Sequence, residues 1–365
     1  MRPERRGGMG GKGPVDMERL KRCIVWGATG RPDGPPDLLH LRITLRCNAH
    51  CQMCAVHPDR LTKNPNLGVA DGRSQLDAAV VLGLLEEGRR LGVARVTLQG
   101  GEPSLHPDFE GLLIAAARAG FDVKTFTNGS ADPDAFARAA AQLRPGRRLT
   151  VNLSVDGLYE MNDRIRGLGG LFARADRLAR RLCALGEKHP DRVDAYVYTV
   201  VMRDNADALF DIAAHFYEVG LPCVFHPVHV YGPELVDGRL MPRQYLPATL
   251  VPAPAQRRRL ERYLEVLEWH PGVGSCAGLR FLGEIYRGPQ RKACIVASVG
   301  VFVNADGTYV GCPNFLPRVA RLGEATLAEV WYERMAEARA VTFLNCHVPC
   351  VGSYCVHQAL PGVDG

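Results

Sequence analysis

The stretch Leu39-His-Leu-Arg-Ile-Thr-Leu-Arg46 alternates apolar and polar residues, and it runs directly into Cys47-Asn-Ala-His-Cys51-Gln-Met-Cys54. Period-two alternation with β-favouring residues reads as a strand over 39–46 that ends at the first cysteine. The three cysteines have the spacing CxxxCxxC, and a loop at a strand end can wrap three thiolates around one cubic cluster. Four thiolates saturate a 4Fe–4S cluster. Three leave one iron open, which a catalytic metal requires. Zinc is the structural alternative, but structural zinc usually takes four ligands, often as two CxxC pairs. His50 could be the fourth, yet it lies inside the same short loop and would strain a tetrahedral site. Cys23 is far away in sequence and is no obvious local ligand.

Outward from this loop, helix and strand signals alternate. Leu76, Val80, Leu84 and Gly88 mark a helix over 74–91, and 93–98 reads as a strand. Helices follow at 109–119, 132–143, 172–185 and 206–219, with strands at 123–127, 149–155, 193–202 and 224–230. About six βα units at this spacing predict parallel strands with right-handed crossovers. The fold class is α/β: a partial (β/α)6, TIM-like barrel with a small Cys-rich α+β extension at the C-terminal end. An open sheet covered on both faces is the alternative, and in either case sites lie at the C-terminal ends of the strands.

The pattern breaks after the sixth unit. Residues 246–254 hold three prolines, and 256–268 form an amphipathic helix with Arg257, Arg258 and Arg259 at its start. Residues 299–303 and 308–310 around Gly307 read as a hairpin, and 327–338 as a helix. The expected divisions are a tail and lead-in at 1–37, the core barrel at 38–245, a connector and helix at 246–275, and the Cys-rich part at 276–365. The Gly-rich, basic residues 1–14 are expected to be disordered.

Composition narrows the function classes. Hydrophobic residues make up 46% of the 365 and charged residues 23%, so the chain can bury a core without metal. Half of the formal charge of +6 sits in the first fourteen residues, which leaves no broad basic field for nucleic acid. No apolar run reaches the ~18 residues of a membrane span. Arg5-Arg6 lacks the apolar segment of an export signal, so the expected location is the cytoplasm. Twelve cysteines there point to metal or redox chemistry rather than disulfides. Cys23, Cys183 and Cys223 are scattered and read as buried small apolar residues.

Further motifs close successive strands: Leu98-Gln-Gly100-Gly101-Glu102-Pro103, Thr127-Asn128-Gly129, Leu153-Ser154-Val155-Asp156-Gly157, and the segment from Val200 to Asn205. Together with the CxxxCxxC loop, over about residues 38–230, this series resembles the radical S-adenosylmethionine (SAM) superfamily, with its GGEP, TNG, LSxDG and VxxxN segments. One departure is Met53, where that family usually has an aromatic residue before the third cysteine. Met is adaptable enough to fill the space beside adenine.

The resemblance implies that Cys47, Cys51 and Cys54 hold a 4Fe–4S cluster whose open iron takes the amino and carboxylate groups of SAM. Gly100 and Gly101 would let the backbone approach the methionine moiety, with Glu102 within reach of its amino group. Ser154 is a candidate for the carboxylate, and Asn128 for the rest of the pocket. Reductive cleavage would give methionine and a 5′-deoxyadenosyl radical that removes a substrate hydrogen, with electrons from a reductant such as flavodoxin or ferredoxin. Taken alone, Gly100-Gly101 would be a tight βα turn.

The last quarter carries a second cysteine pattern. Cys294 is followed by Gly307 and Cys312 as C-x12-G-x4-C, and then by Cys346, Cys350 and Cys355. The first part is similar to the opening of the SPASM domain, and the shorter whole to its twitch variant. That likeness implies one auxiliary 4Fe–4S cluster on Cys294, Cys312 and two of the last three. A zinc ribbon is the alternative. His226 and His229 are three apart on an expected strand, so they should face opposite ways and form no joint site.

The substrate is open at this level. Only 37 residues precede the first barrel strand, which leans toward oxidation, epimerisation or rearrangement of a small metabolite. The alternative is maturation of a ribosomally made peptide. A non-catalytic iron–sulfur or zinc protein is the rival from another class, and it would have no use for a SAM pocket.

Overall fold

The computed structural model describes residues 17–54, 74–276, 279, 282, 286, 294–313 and 317–348. The expected disordered tail, Cys350 and Cys355 lie outside the described residues. Strands β1 (Leu38–Thr44), β2 (Arg95–Gly100), β3 (Asp122–Thr127), β4 (Leu149–Ser154), β5 (Val193–Val201) and β6 (Cys223–Pro227) pair in parallel in that order. The crossovers are helical: α2 (Ala78–Leu91), α3 (Phe109–Ala119), α4 (Pro133–Ala141), α5 (Tyr159–Arg166), α6 (Leu171–Lys188) and α7 (Leu209–Val219). Left-handed glycines stop four of them, at Gly92, Gly120, Gly167 and Gly220.

Alternation along each strand sorts two faces. Leu39, Leu41, Ile43, Val96, Leu98, Val123, Val151 and Leu153 enter one apolar core with the helices. The opposite face is polar and still buried, with His40, Arg42, Thr97, Asn152 and His226. Phe126 on β3 and Tyr198 on β5 are separated by β4, which sets their strands ~9.5 Å apart in a flat sheet. Their ring centroids nevertheless lie 5.9 Å apart, and Tyr198 meets His226 on β6 at 6.0 Å. The sheet therefore curls around its polar face, as a partial barrel does and a flat open sheet does not.

His40 carries a measurable consequence. Burial pushes its imidazole down to about 3, helped by Arg42 and Lys124. An unfolded histidine protonates near 6.5 while the native one stays neutral, so the unfolded state binds more protons as pH falls below that value. Stability of the metal-free protein is expected to drop between pH 6.5 and 5, and His40→Gln to remove about 1 kcal/mol per pH unit of that slope. Denaturant unfolding at three pH values checks it, and an unchanged slope would refute the assignment.

The sheet continues beyond the barrel at both ends. After β7 (Tyr231–Val236) and β8 (Arg239–Gln244), which pair with each other as a separate ribbon, and helix α8 (Pro254–Trp269), the short β9 (Val273–Ser275) adds to β6. At the other end β10 (Gly300–Val303) pairs in parallel with β1, followed antiparallel by β11 (Thr308–Val310) and β12 (Arg318–Arg321). The lead-in contains helix α1 (Met17–Thr29), packed near the last described helix, α9 (Ala336–Asn345). Trp26 meets Trp331 edge-on at 5.9 Å, and Arg339 lies 4.2 Å from the Trp331 ring centroid. No described helix is long and apolar enough to cross a membrane.

Candidate active site at the strand ends

The cysteine loop leaves β1 and is tied down on two sides. The amides of His50 and Gln52, either side of Cys51, donate to the carbonyls of Arg166 and Ile165 at the end of α5, both at 2.9 Å. Asn48 is held by Asn128 and Ser130, each at 2.9 Å. The Cys54 amide closes a turn onto the Cys51 carbonyl at 3.1 Å. Cys47 is exposed and Cys51 and Cys54 partly so. The surrounding protein still pushes the Cys47 thiol up to about 11 and Cys51 up to about 12 by desolvation. Cys54 raises both, so the three thiols share one electrostatic neighbourhood.

The motif residues turn out to be the ties between strand ends. A Cβ on Gly100 would overlap the Thr44 carbonyl, and one on Gly101 would lie 2.5 Å from the Arg46 oxygen and 2.6 Å from that of Leu45. The glycines thus let β2 close against the start of the cysteine loop, where the Gly101 and Glu102 amides donate to Thr44 and Arg46 carbonyls at 2.8 Å. Glu102 is buried and accepts from the Ser104 amide and hydroxyl, the Thr127 hydroxyl and the Asn128 amide. Burial raises its carboxyl pKa, and those donors oppose the rise. It joins the ends of β2 and β3. Asp156 and Asn205, both fully buried, do the same for β4 and β5. The Asp156 carboxylate accepts from the Val200 amide at 2.7 Å, and Asn205 donates to the carbonyls of Asp156 and Val200 at 2.9 Å.

With those side chains consumed, what remains open at the strand ends is partly exposed: Gly100, Gly101, Ser154 and Met53. Met53 packs against an apolar group containing Ile165, Met202, Val228 and Val230. Arg166, missed in the sequence, adds a buried cation to this place. Its guanidinium pairs with Asp156 at 2.7 Å and reaches the Cys51 sulfur at 3.9 Å, and its Nε lacks a hydrogen-bond partner. A helix signal over 159–166 would have pointed to it; the expected pattern left that stretch unassigned.

The histidine expectation is corrected. β6 ends at Pro227, so the chain turns before His229, and the two Nε2 atoms lie 2.9 Å apart. Burial pushes His229 down to about 4. Face alternation fails there because the strand does not extend to 230.

Of the second cysteine set, Cys294 and Cys312 pack against one apolar group with Cys23, Leu38 and Val310. Burial pushes the Cys294 thiol up to about 12, with Cys346 adding to it. Cys346 is bridged to Leu240 of β8. Cys276 sits in the barrel core instead.

A model of the radical SAM superfamily matches residues 41–229. The chain belongs to that superfamily. A radical SAM enzyme uses a 4Fe–4S cluster and SAM, and the site suits both: three neighbouring thiols, an orphaned buried guanidinium nitrogen for an anionic group, and open glycine backbone. The chain is 33% identical to mycofactocin maturase MftC of Mycobacterium ulcerans over 49% of its own length and 44% of the other. The match thus spans less than half of MftC. It is 27% identical to the PqqA peptide cyclase of Ruegeria pomeroyi over 82% of this chain and 75% of that one. The fold is similar to that of Streptococcus suis SuiB bound to precursor peptide SuiA, with TM-score 0.61, 17% identity, and coverage of 90% and 70%. Against anSMEcpe with bound AdoMet the TM-score is 0.58 at 17% identity, covering 84% and 83%.

Proposed function

We propose that this radical SAM enzyme modifies a peptide. The observation that carries the reading is the match to a peptide cyclase that continues past the barrel through 82% of this chain. The relatives therefore favour the peptide alternative over the small metabolite toward which the sequence alone leaned.

When bound, the cluster and SAM supply a one-electron cleavage whose radical product removes a substrate hydrogen. Cys47, Cys51 and Cys54 hold the cluster. The Gly101 and Glu102 amides are spent on Thr44 and on Arg46 at the start of the cysteine loop, so the carbonyls of Gly100 and Gly101 would be the groups that meet the amino group. Glu102 fixes that segment, Ser154 and Arg166 receive the carboxylate, Asn128 anchors the loop through Asn48, and Met53 lines the adenine side. Cys294, Cys312 and Cys346, with Cys350 or Cys355, hold one auxiliary 4Fe–4S cluster. A cytoplasmic flavodoxin or ferredoxin supplies electrons.

Anaerobically prepared protein is expected to contain about eight irons and about eight sulfides per chain. About four would remove the auxiliary cluster, and stoichiometric zinc would replace it with a ribbon. The substrate reading is tested by incubating the enzyme with SAM, dithionite and synthetic peptides corresponding to any short reading frame next to its gene. A mass change that requires SAM is expected. Formation of 5′-deoxyadenosine with the peptide unaltered would sink the peptide reading while sparing the superfamily assignment.

A further inference from the structure

We infer that the buried Asp156–Arg166 pair sets the reduction potential of the cluster held by Cys47, Cys51 and Cys54, acting through the sulfur of Cys51. The inference rests on the assignment of those three cysteines.

Four observations converge on this pair. Arg166 is 7% exposed and Asp156 0%, so little water screens their charges. One guanidinium nitrogen points at Cys51 Sγ from 3.9 Å while another grips Asp156 at 2.7 Å. The backbone of the same helix end holds the loop: the Arg166 and Ile165 carbonyls take the amides either side of Cys51. Gly167, at φ +62, follows at once, and a Cβ there would lie 2.8 Å from the His50 oxygen. Helix and loop therefore cannot separate without losing backbone hydrogen bonds, and the guanidinium stays beside the thiolate.

Hydrogen bonds and net charge at the cluster sulfurs are main determinants of an iron–sulfur potential. Reduction adds one negative charge to the cluster. A guanidinium donating to a ligand sulfur stabilises the reduced form and raises the potential. Asp156 partly cancels that field, and it also holds the guanidinium in place. Its other oxygen accepts from the Val200 amide at the end of β5, so the pair is fixed from two strands. In this effect both residues act on the cluster through Cys51, separately from the carboxylate contact proposed for Arg166.

The two charges have opposite effects, and this makes the test discriminating. Arg166→Gln removes the cation and is expected to move the potential down. Asp156→Asn keeps an acceptor for Val200 but removes the anion, and it is expected to move the potential up. The double variant restores the wild-type net charge and should fall between the singles. The measurement is an EPR-monitored redox titration of SAM-free, cluster-loaded protein. A variant with Cys294 and Cys312 replaced by alanine is used throughout, so that one cluster is read. Iron content confirms loading. General damage to the loop would shift both single variants the same way, and that result overturns the inference. So would potentials unchanged in both, including the case where Arg166→Gln weakens only SAM binding. If Arg166→Gln fails to load iron, Arg166→Lys is measured beside Asp156→Asn, and the opposite signs are still required. Absence of a three-cysteine cluster from the wild type would refute the cysteine assignment instead, so the two failures are distinct.

Discussion

Replacing any one of Cys47, Cys51 or Cys54 with alanine is expected to abolish 5′-deoxyadenosine formation and to cut the iron content from about eight to about four per chain. Among the described residues of the loop, the other candidate ligand is His50, and it is held elsewhere. His50 has its amide tied to α5, and its main-chain oxygen and Cβ pack against the Gly167 position. The three thiols belong to one loop fixed at Asn48, His50 and Gln52, so under the proposed assignment the loss of one sulfur would leave two ligands where three are required. Cys183→Ala is the matched control. That thiol is buried in α6 and donates to the Gly220 carbonyl, so its removal costs on the order of 1 kcal/mol and leaves iron and turnover unchanged. A loop variant that keeps a spectrum responsive to SAM would refute the ligand assignment.

Gly101→Ala is expected to be nearly as damaging for a different reason. The added methyl carbon would lie 2.5 Å from the Arg46 oxygen and 2.6 Å from that of Leu45, both backbone atoms that cannot rotate away. Either β2 or the start of the cysteine loop must move. The strain is of the order of 1–3 kcal/mol, and shifting a catalytic group by ~1 Å can cost about a hundredfold in rate. Gly111→Ala on the outside of α3 meets nothing within 4 Å and should stabilise the protein by about 0.5 kcal/mol. Thermal unfolding together with the rate of 5′-deoxyadenosine formation separates the two. Equal behaviour of both variants would show that the close approach at Gly101 is not needed.

The barrel was legible because each of its units repeats a period-2 segment followed by a period-3.6 segment, and the two periods are readable without tertiary knowledge. The cysteine loop and the motifs after β2 to β5 were legible as positions, but their division of labour was not. Glu102 looks like a ligand-facing carboxylate in sequence, whereas its burial and hydrogen bonds show it tied to the neighbouring strand end. The ribbon of β7 and β8 went unread although Asp237-Gly238, with both φ positive, is a strong hairpin signal. Pro233 and Pro242 disguised the strands, and they lie opposite each other in the ribbon. Arg166 was missed because its helix was left unassigned and its partner Cys51 is 115 positions away. The closeness of His226 and His229 was missed because it depends on where a strand stops.

The pairing of β1 with β10 has a consequence for biosynthesis. Residues 38–41 bond to residues 300–303, so the strand that carries the cysteine loop obtains its second neighbour only after most of the polypeptide has left the ribosome. At ordinary elongation speeds that wait is roughly ten to fifty seconds. Throughout it, one side of β1 presents unpaired amides and carbonyls beside three oxidisable thiols. Nascent chains halted before residue 300 keep that edge open and should depend on chaperones and collect in the insoluble fraction.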